Sequence, residues 1–174
     1  AGERDPRAGE VLRRTKFRKE GVSMALKHRV LYENVKTVEE WWKEEEARMH
    51  EEGDFRKLRP VFVPNPDKLE NLSFTRSWTE RVGTCCPTSR WYEVEILDLS
   101  ITLNSDHLRP YVFGAPFGGY LRWDATSGWK LIAGGVELDE EKIPIDLLLL
   151  VADPVWIEDG APKPPARFVY SSQE

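Results

Sequence analysis

The chain is short of cysteine: it has two in 174 residues, and they are neighbours, Cys85 and Cys86. Adjacent thiols close only a strained ring, so a disulfide framework is excluded. Two reduced thiols in a reducing, intracellular compartment are the expectation. Long apolar runs are missing as well. The longest, residues 143–152, contains Pro144 and Asp146 and falls far short of the roughly 20 residues that a membrane helix needs. Histidine is scarce, and His28, His50 and His107 stand too far apart for zinc-ligand spacing. No metal and no cofactor are expected.

Catalytic signatures are also lacking. There is no glycine-rich phosphate loop ending in Lys-Ser or Lys-Thr, no dinucleotide fingerprint after a strand, and no Gly-x-Ser-x-Gly elbow. Residues 114–119 are glycine-rich but hold Pro116 and lie between strand-like segments, which makes them a loop. Cys85 and Cys86 do not stand at the spacing from Arg90 that a phosphate-binding cysteine loop requires. Asp124, Glu140 and Lys142 resemble a nuclease triple, but with 30 acidic residues such triples arise by chance. A non-enzyme is the expectation; an enzyme whose site is assembled from distant residues is the alternative.

What the chain does have is aromatic bulk: seven Trp, seven Phe and five Tyr. With 40% hydrophobic and 32% charged residues, this suits one folded core, and the length leaves no room for a second. The net charge of -5 is unevenly spread. Residues 1–29 carry nine basic and four acidic side chains, a local +5, which leaves -10 for the remainder. Arg13, Arg14, Lys16, Arg18 and Lys19 concentrate the positive charge, interleaved with Leu12 and Phe17. Such a run attracts an acidic protein surface, RNA or another polyanion. The chain starts with Ala, as it would after loss of an initiator Met or of a targeting peptide. The Arg-rich start also fits import into an organelle matrix such as the mitochondrial one.

Residues 1–10 read as an extended arm and residues 11–20 as a short basic helix ended by Gly21. Residues 22–35 fit helix or strand. Thr37 with Glu40 forms a capping box, followed by Val38, Trp41, Trp42 and Met49 on one helical side, with Gly53 as the stop. Glu39 with Lys43 and Glu44 with Arg48 are acid-before-base pairs four apart. The six residues Thr-Val-Glu-Glu-Trp-Trp, 37–42, are similar to a segment of cap-binding translation initiation factors, and the rest of the chain does not follow that pattern.

Strands are expected over residues 59–63, 72–79 and 91–104. In the last, Tyr92, Val94 and Ile96 share one parity, while Leu97, Leu99, Ile101 and Leu103 share the other. The slip predicts a bulge at Ile96 and Leu97. Asn104, Ser105 and Asp106 make a turn. Residues 120–124 and 129–133 form a hairpin around a loop ending in Gly128, with Trp123 facing Trp129. Residues 139–142 are a loop or one helical turn. Residues 143–151 are expected to be the most buried strand, ended by Asp153-Pro154.

The pattern is α+β: an N-terminal helical segment followed by a mainly antiparallel, curved sheet or partial barrel. The expected division is a basic extended arm over residues 1–21, a single core over 22–157 and a Pro-rich tail over 158–174. In that tail Pro162, Pro165 and Arg167 spell Pro-x-x-Pro-x-Arg, the polyproline pattern with an orienting cation that SH3 domains read. The functional expectation is a non-catalytic accessory or structural subunit of a larger macromolecular assembly. It would meet other protein subunits through Arg13, Arg14, Lys16, Arg18, Lys19, Pro162, Pro165 and Arg167. A nucleic-acid-contacting regulator using the basic arm is the second class.

Overall fold

The computed structural model describes residues 31–85, 89–113 and 118–173. The basic cluster Arg13 to Lys19, His28 and Cys86 lie outside the described residues, as does the helix expected over 11–20.

The first long element is helix α1 (Val38–Glu51). Its capping box is formed: Thr37 Oγ1 accepts from Glu40 N at 3.3 Å, and Glu40 Oε1 accepts from Thr37 N at 2.9 Å. Gly53 closes the far end at φ 88°, its N–H donating to the His50 carbonyl at 3.0 Å. Of the two ion pairs expected along the helix, Glu39–Lys43 forms at 3.7 Å. Arg48 instead joins Glu45 and Glu52, and Glu44 takes Lys36 at 2.7 Å, because residues three and four away compete equally for one guanidinium. The helix lies on the surface, burying Val38 fully. Trp41 holds it down by stacking on Trp156 and tilting against Phe62, both at 5.7 Å between centroids.

Beneath the helix is a two-stranded ribbon of β1 (Leu58–Pro64) and β7 (Ala152–Glu158). The register sets Pro60 opposite Trp156, Phe62 opposite Pro154 and Pro64 opposite Ala152. All three prolines therefore occupy alternate pairs of one class, where an N–H would point away from the partner strand and none is lost from the ladder. This is why Asp153-Pro154 does not end a strand as expected: β7 runs through both. It also leaves the Phe62 carbonyl facing outward, where Trp129 Nε1 donates to it at 2.7 Å.

Trp129 belongs to the second sheet, which is open, with six strands in the order β2 (Ser73–Cys85), β3 (Ser89–Leu103), β4 (Gly119–Asp124), β5 (Gly128–Ala133) and β6 (Val136–Asp139), while β8 (Ala166–Gln173) also pairs with β3. All pairings are antiparallel, so α+β with a mainly antiparallel sheet holds. Residues 89–96 of β3 face β8 and residues 98–103 face β4, so the two shorter strands share one flank of the longest. The parity slip is real: Ser77 pairs with Asp98 and Trp78 with Ile96, which leaves Leu97 as the extra residue. Leu97 itself is exposed, while Leu99, Ile101 and Leu103 are buried. The hairpin is also as expected, with Trp123 opposite Trp129, rings 6.3 Å apart, and Gly128 at φ 85°.

Other segments also depart from the sequence reading. Residues 143–151 are not a strand. A one-turn helix, α3 (Ile145–Leu148), occupies their middle. Ile143, Leu147, Leu148 and Val151 are fully buried while Asp146 and Leu150 are exposed, a three-to-four spacing that Leu tolerates and a strand cannot present. Backbone bonds from Val38 to Ile143 and from Ile145 to Lys36, both 2.9 Å, stitch this segment to the start of α1. A second one-turn helix, α2 (Ser105–Leu108), replaces the turn after β3, capped by Asn104. The other departure is at the end of the chain. Where a Pro-rich extension is expected from residue 158, β8 returns to pair with β3 from Ile96 to Ser89. Among the described residues, no helix is long and apolar enough to cross a membrane.

Replacing Trp129 with Phe removes the indole donor, strands the buried Phe62 carbonyl and leaves a small cavity where the second ring was. We expect a loss of about 1–3 kcal/mol in urea unfolding, and a smaller loss for Trp41→Phe. A Trp129→Phe change within about 0.5 kcal/mol of wild type would contradict this role for the bond.

Candidate functional site

Two features stand out from the core: a cleft and a projection. The cleft, about 190 Å³, opens between β1, the hairpin loop after β4 and the segment before β8. Arg59, Glu95, Trp123, Glu140, Lys163 and Pro165 are among its lining residues. Glu140 sits in the single 3-10 turn that follows β6. Burial pushes its carboxyl up, against the pull of the Trp129 N–H and, more weakly, of Lys163 and Arg59. The reason for its position is local. β6 stops at Asp139, opposite Lys130, so the N–H of Trp129 has no strand beside it and donates to Glu140 Oε1 at 3.1 Å instead.

A carboxyl with a raised pKa is one ingredient of general acid catalysis. Here its hydrogen bond is spent on the backbone. Glu95, the other acid in the cleft, is paired with Arg167 at 3.3 Å, and Lys163 donates to the Thr126 carbonyl at 3.2 Å. Among the described residues, no three His, Cys, Asp or Glu side chains gather as metal ligands would. A shallower hollow over Asp98, Arg122, Asp124, Lys130 and Glu137 mixes both signs of charge, with Lys130 and Glu137 paired at 3.3 Å.

The projection is built differently. Up to and beyond the row of Val94 and Phe168, where the buried core ends, β2, β3 and β8 continue side by side. On the core-facing side lie the cross-strand rows Trp78–Ile96–Ala166 and Glu80–Val94–Phe168, then Val82 beside Tyr92. On the other side lie Thr79–Glu95–Arg167 and Arg81–Glu93–Val169, then Gly83 beside Trp91. Arg81 and Glu93 are paired at 2.7 Å. The Trp91 ring lies across Gly83 so closely that no Cβ fits there. Arg76 stacks over Trp78 at 4.6 Å. Large apolar side chains remain in solvent on both faces: Val169 is 63% exposed, Val82 54%, Trp78 46% and Trp91 38%.

Of the residues singled out from sequence, Pro162, Pro165 and Arg167 are among the described ones. Arg13, Arg14, Lys16, Arg18 and Lys19 lie outside the described residues. Pro165 lines the cleft, Pro162 is exposed, and Arg167 is part of β8, paired with Glu95. The Arg167 N–H donates to the Pro165 carbonyl at 3.1 Å. A polyproline helix has no internal hydrogen bonds, so the Pro-x-x-Pro-x-Arg run is not one continuous helix with a free cation. Sequence reasoning missed Trp78, Val82, Trp91 and Val169, since an apolar residue in an alternating strand reads as core. The available signal was that Arg76 and Glu80 share the parity of Trp78 and Val82.

Glu140 predicts a pH effect. Its carboxyl holds a proton more tightly folded than unfolded. Its contribution to stability is therefore complete below the ordinary carboxylate range and is lost as pH rises through the raised folded value. Glu140→Gln keeps an acceptor for Trp129 and removes this titration. The variant's stability relative to wild type should rise between about pH 4 and about pH 7, as read by thermal unfolding. A constant difference across that range would show that burial does not oppose this charge.

The chain matches no family model, and comparison with curated proteins and with solved structures finds no match either.

Proposed function

We propose that the protein is a non-catalytic subunit of a larger macromolecular assembly, and that it docks a protein neighbour on the projection formed by β2, β3 and β8. One observation carries this reading. Trp78, Val82, Trp91 and Val169 are exposed on strands whose pairing is already complete on the β3 side, so they contribute little to the core. Trp78 and Val82 lie on one face of the projection and Trp91 and Val169 on the other, so each face carries exposed apolar side chains of the kind that mark a surface covered in use. The alternating ion pairs Arg81–Glu93 and Arg167–Glu95 beside them supply a polar rim of the kind found around docked apolar anchors. The neighbour's chemistry follows: an apolar face bordered by charges of both signs.

The basic residues Arg13, Arg14, Lys16, Arg18 and Lys19 complement this reading with a salt-sensitive attraction to an acidic subunit, or to RNA in the regulator alternative. Arg167 contributes through its pairing with Glu95 rather than as a free cation. The cleft does not favour an enzyme, because its acids are occupied by the Trp129 N–H and by Arg167.

The test uses Val169→Glu, which places a charge on the outer face of an exposed strand. In extracts of its own cells, the tagged wild-type chain is expected to elute in a complex larger than its own self-assembly. The variant should elute free of it, with an unchanged far-UV spectrum and melting temperature when purified. Co-elution of both in the same complex, or a wild-type chain found alone, would overturn the proposal.

A further inference from the structure

The cleft between β1, the hairpin loop and the segment before β8 holds two cations without counter-ions. Arg59, half-buried, enters it from β1, and Lys163 enters from the approach to β8. Among the described residues neither has a carboxylate within ion-pair distance, and Lys163 donates only to the Thr126 carbonyl, at 3.2 Å. The two acids of the cleft are differently placed. Glu95 is neutralised by Arg167 at 3.3 Å. Glu140 accepts the Trp129 N–H at 3.1 Å, and burial favours its protonated form. The uncompensated charge of the cleft is therefore positive.

The rest of the lining is largely apolar, with Phe62, Ile96, Trp123 and Pro165 among its residues. At about 190 Å³ the space equals that of roughly six waters, enough for a small organic molecule and too little for a nucleotide. Each class of ligand meets a different part of this surface. An amine would face two cations. Inorganic phosphate would answer the cations and leave the apolar wall unused. An uncharged apolar molecule would cover the wall and leave both cations unanswered. An anion with an apolar body uses both halves of the lining.

We propose that this cleft binds a small monocarboxylate with an apolar body. Its carboxylate lies between Arg59 and Lys163, where the planar guanidinium fork matches the two carboxylate oxygens. Its body lies against Trp123 and Pro165. The site is independent of the docking reading of the projection, because Trp78, Val82, Trp91 and Val169 do not line the cleft. The Val169→Glu result and the binding result can therefore each fail alone.

Benzoate, with about nine non-hydrogen atoms, is the probe. Added to the full chain at about pH 6, it should move the Ala125 and Gly128 amides and the Trp123 indole in proton–nitrogen correlation spectra, with a dissociation constant of about 0.1–5 mM. Arg59→Gln and Lys163→Gln should each weaken binding about fivefold or more at an unchanged melting temperature. Lys163 is exposed, so its variant keeps the test intact should the Arg59 variant fold poorly. Glu140→Gln keeps an acceptor for Trp129 and should bind benzoate at least as tightly as wild type. No movement of these resonances at about 20 mM benzoate overturns the proposal. So does benzylamine, benzyl alcohol or inorganic phosphate binding there as tightly as benzoate, benzoate binding that both cation variants leave unchanged, or binding that Glu140→Gln abolishes.

Discussion

The bond from the Trp129 indole to the Phe62 carbonyl is the constraint on which the arrangement of the molecule depends. The prolines of the ribbon force one class of β1 and β7 pairs to turn their backbone groups outward, and Phe62 is in that class. A buried carbonyl facing outward with no partner would cost more than its ring gains by packing a little better. Trp129 supplies the donor at 2.7 Å, and its own N–H is taken by Glu140 at 3.1 Å. One residue thereby fixes the ribbon against the sheet and fastens the 3-10 turn after β6. Trp41 then lays α1 against Phe62. Removing Phe62 from this stack would loosen helix, ribbon and sheet together.

How much of this is legible in the sequence follows from the range of each signal. The Thr37–Glu40 capping box, the Trp123–Trp129 hairpin and the bulge at Leu97 are local patterns, set by neighbours a few residues apart, and the structure has all three. Residues 143–151 misled because Ile and Leu in a short run suit both a buried strand and a buried helical turn. The exposed positions Asp146 and Leu150, four apart, were the discriminating sign. The end of the chain was harder to read. Arg167, Phe168 and Val169 alternate over too short a span to announce a strand, and their partners Glu95, Val94 and Glu93 lie some seventy residues earlier. Proline at 154 reads as a terminator only until the register shows that its missing N–H points away from β1.

The candidate surface was hidden for a different reason. Nothing in the letters distinguishes Val82, which is more than half exposed, from Val94, which is buried one row nearer the core. Both sit on the same face of the same sheet. What separates them is where the supporting layer stops. Val94 and Phe168 form the last row that meets the core, and β2, β3 and β8 simply run further.

A three-stranded extension that runs past the described core needs its own means of staying ordered. Trp91 covers Gly83, and the pairs Arg81–Glu93 and Glu95–Arg167 cross from strand to strand in successive rows. Each exposed pair is weak alone, on the order of a few tenths of a kcal/mol. Their value lies in holding the backbone of the three strands together in strand geometry. The same chain caps the edges of its ribbon with prolines, whereas β2 carries Arg76, Glu80 and Arg81 and has a register shift at Ser77/Trp78. Charged side chains and bulges are alternative ways of keeping a strand edge from unwanted pairing.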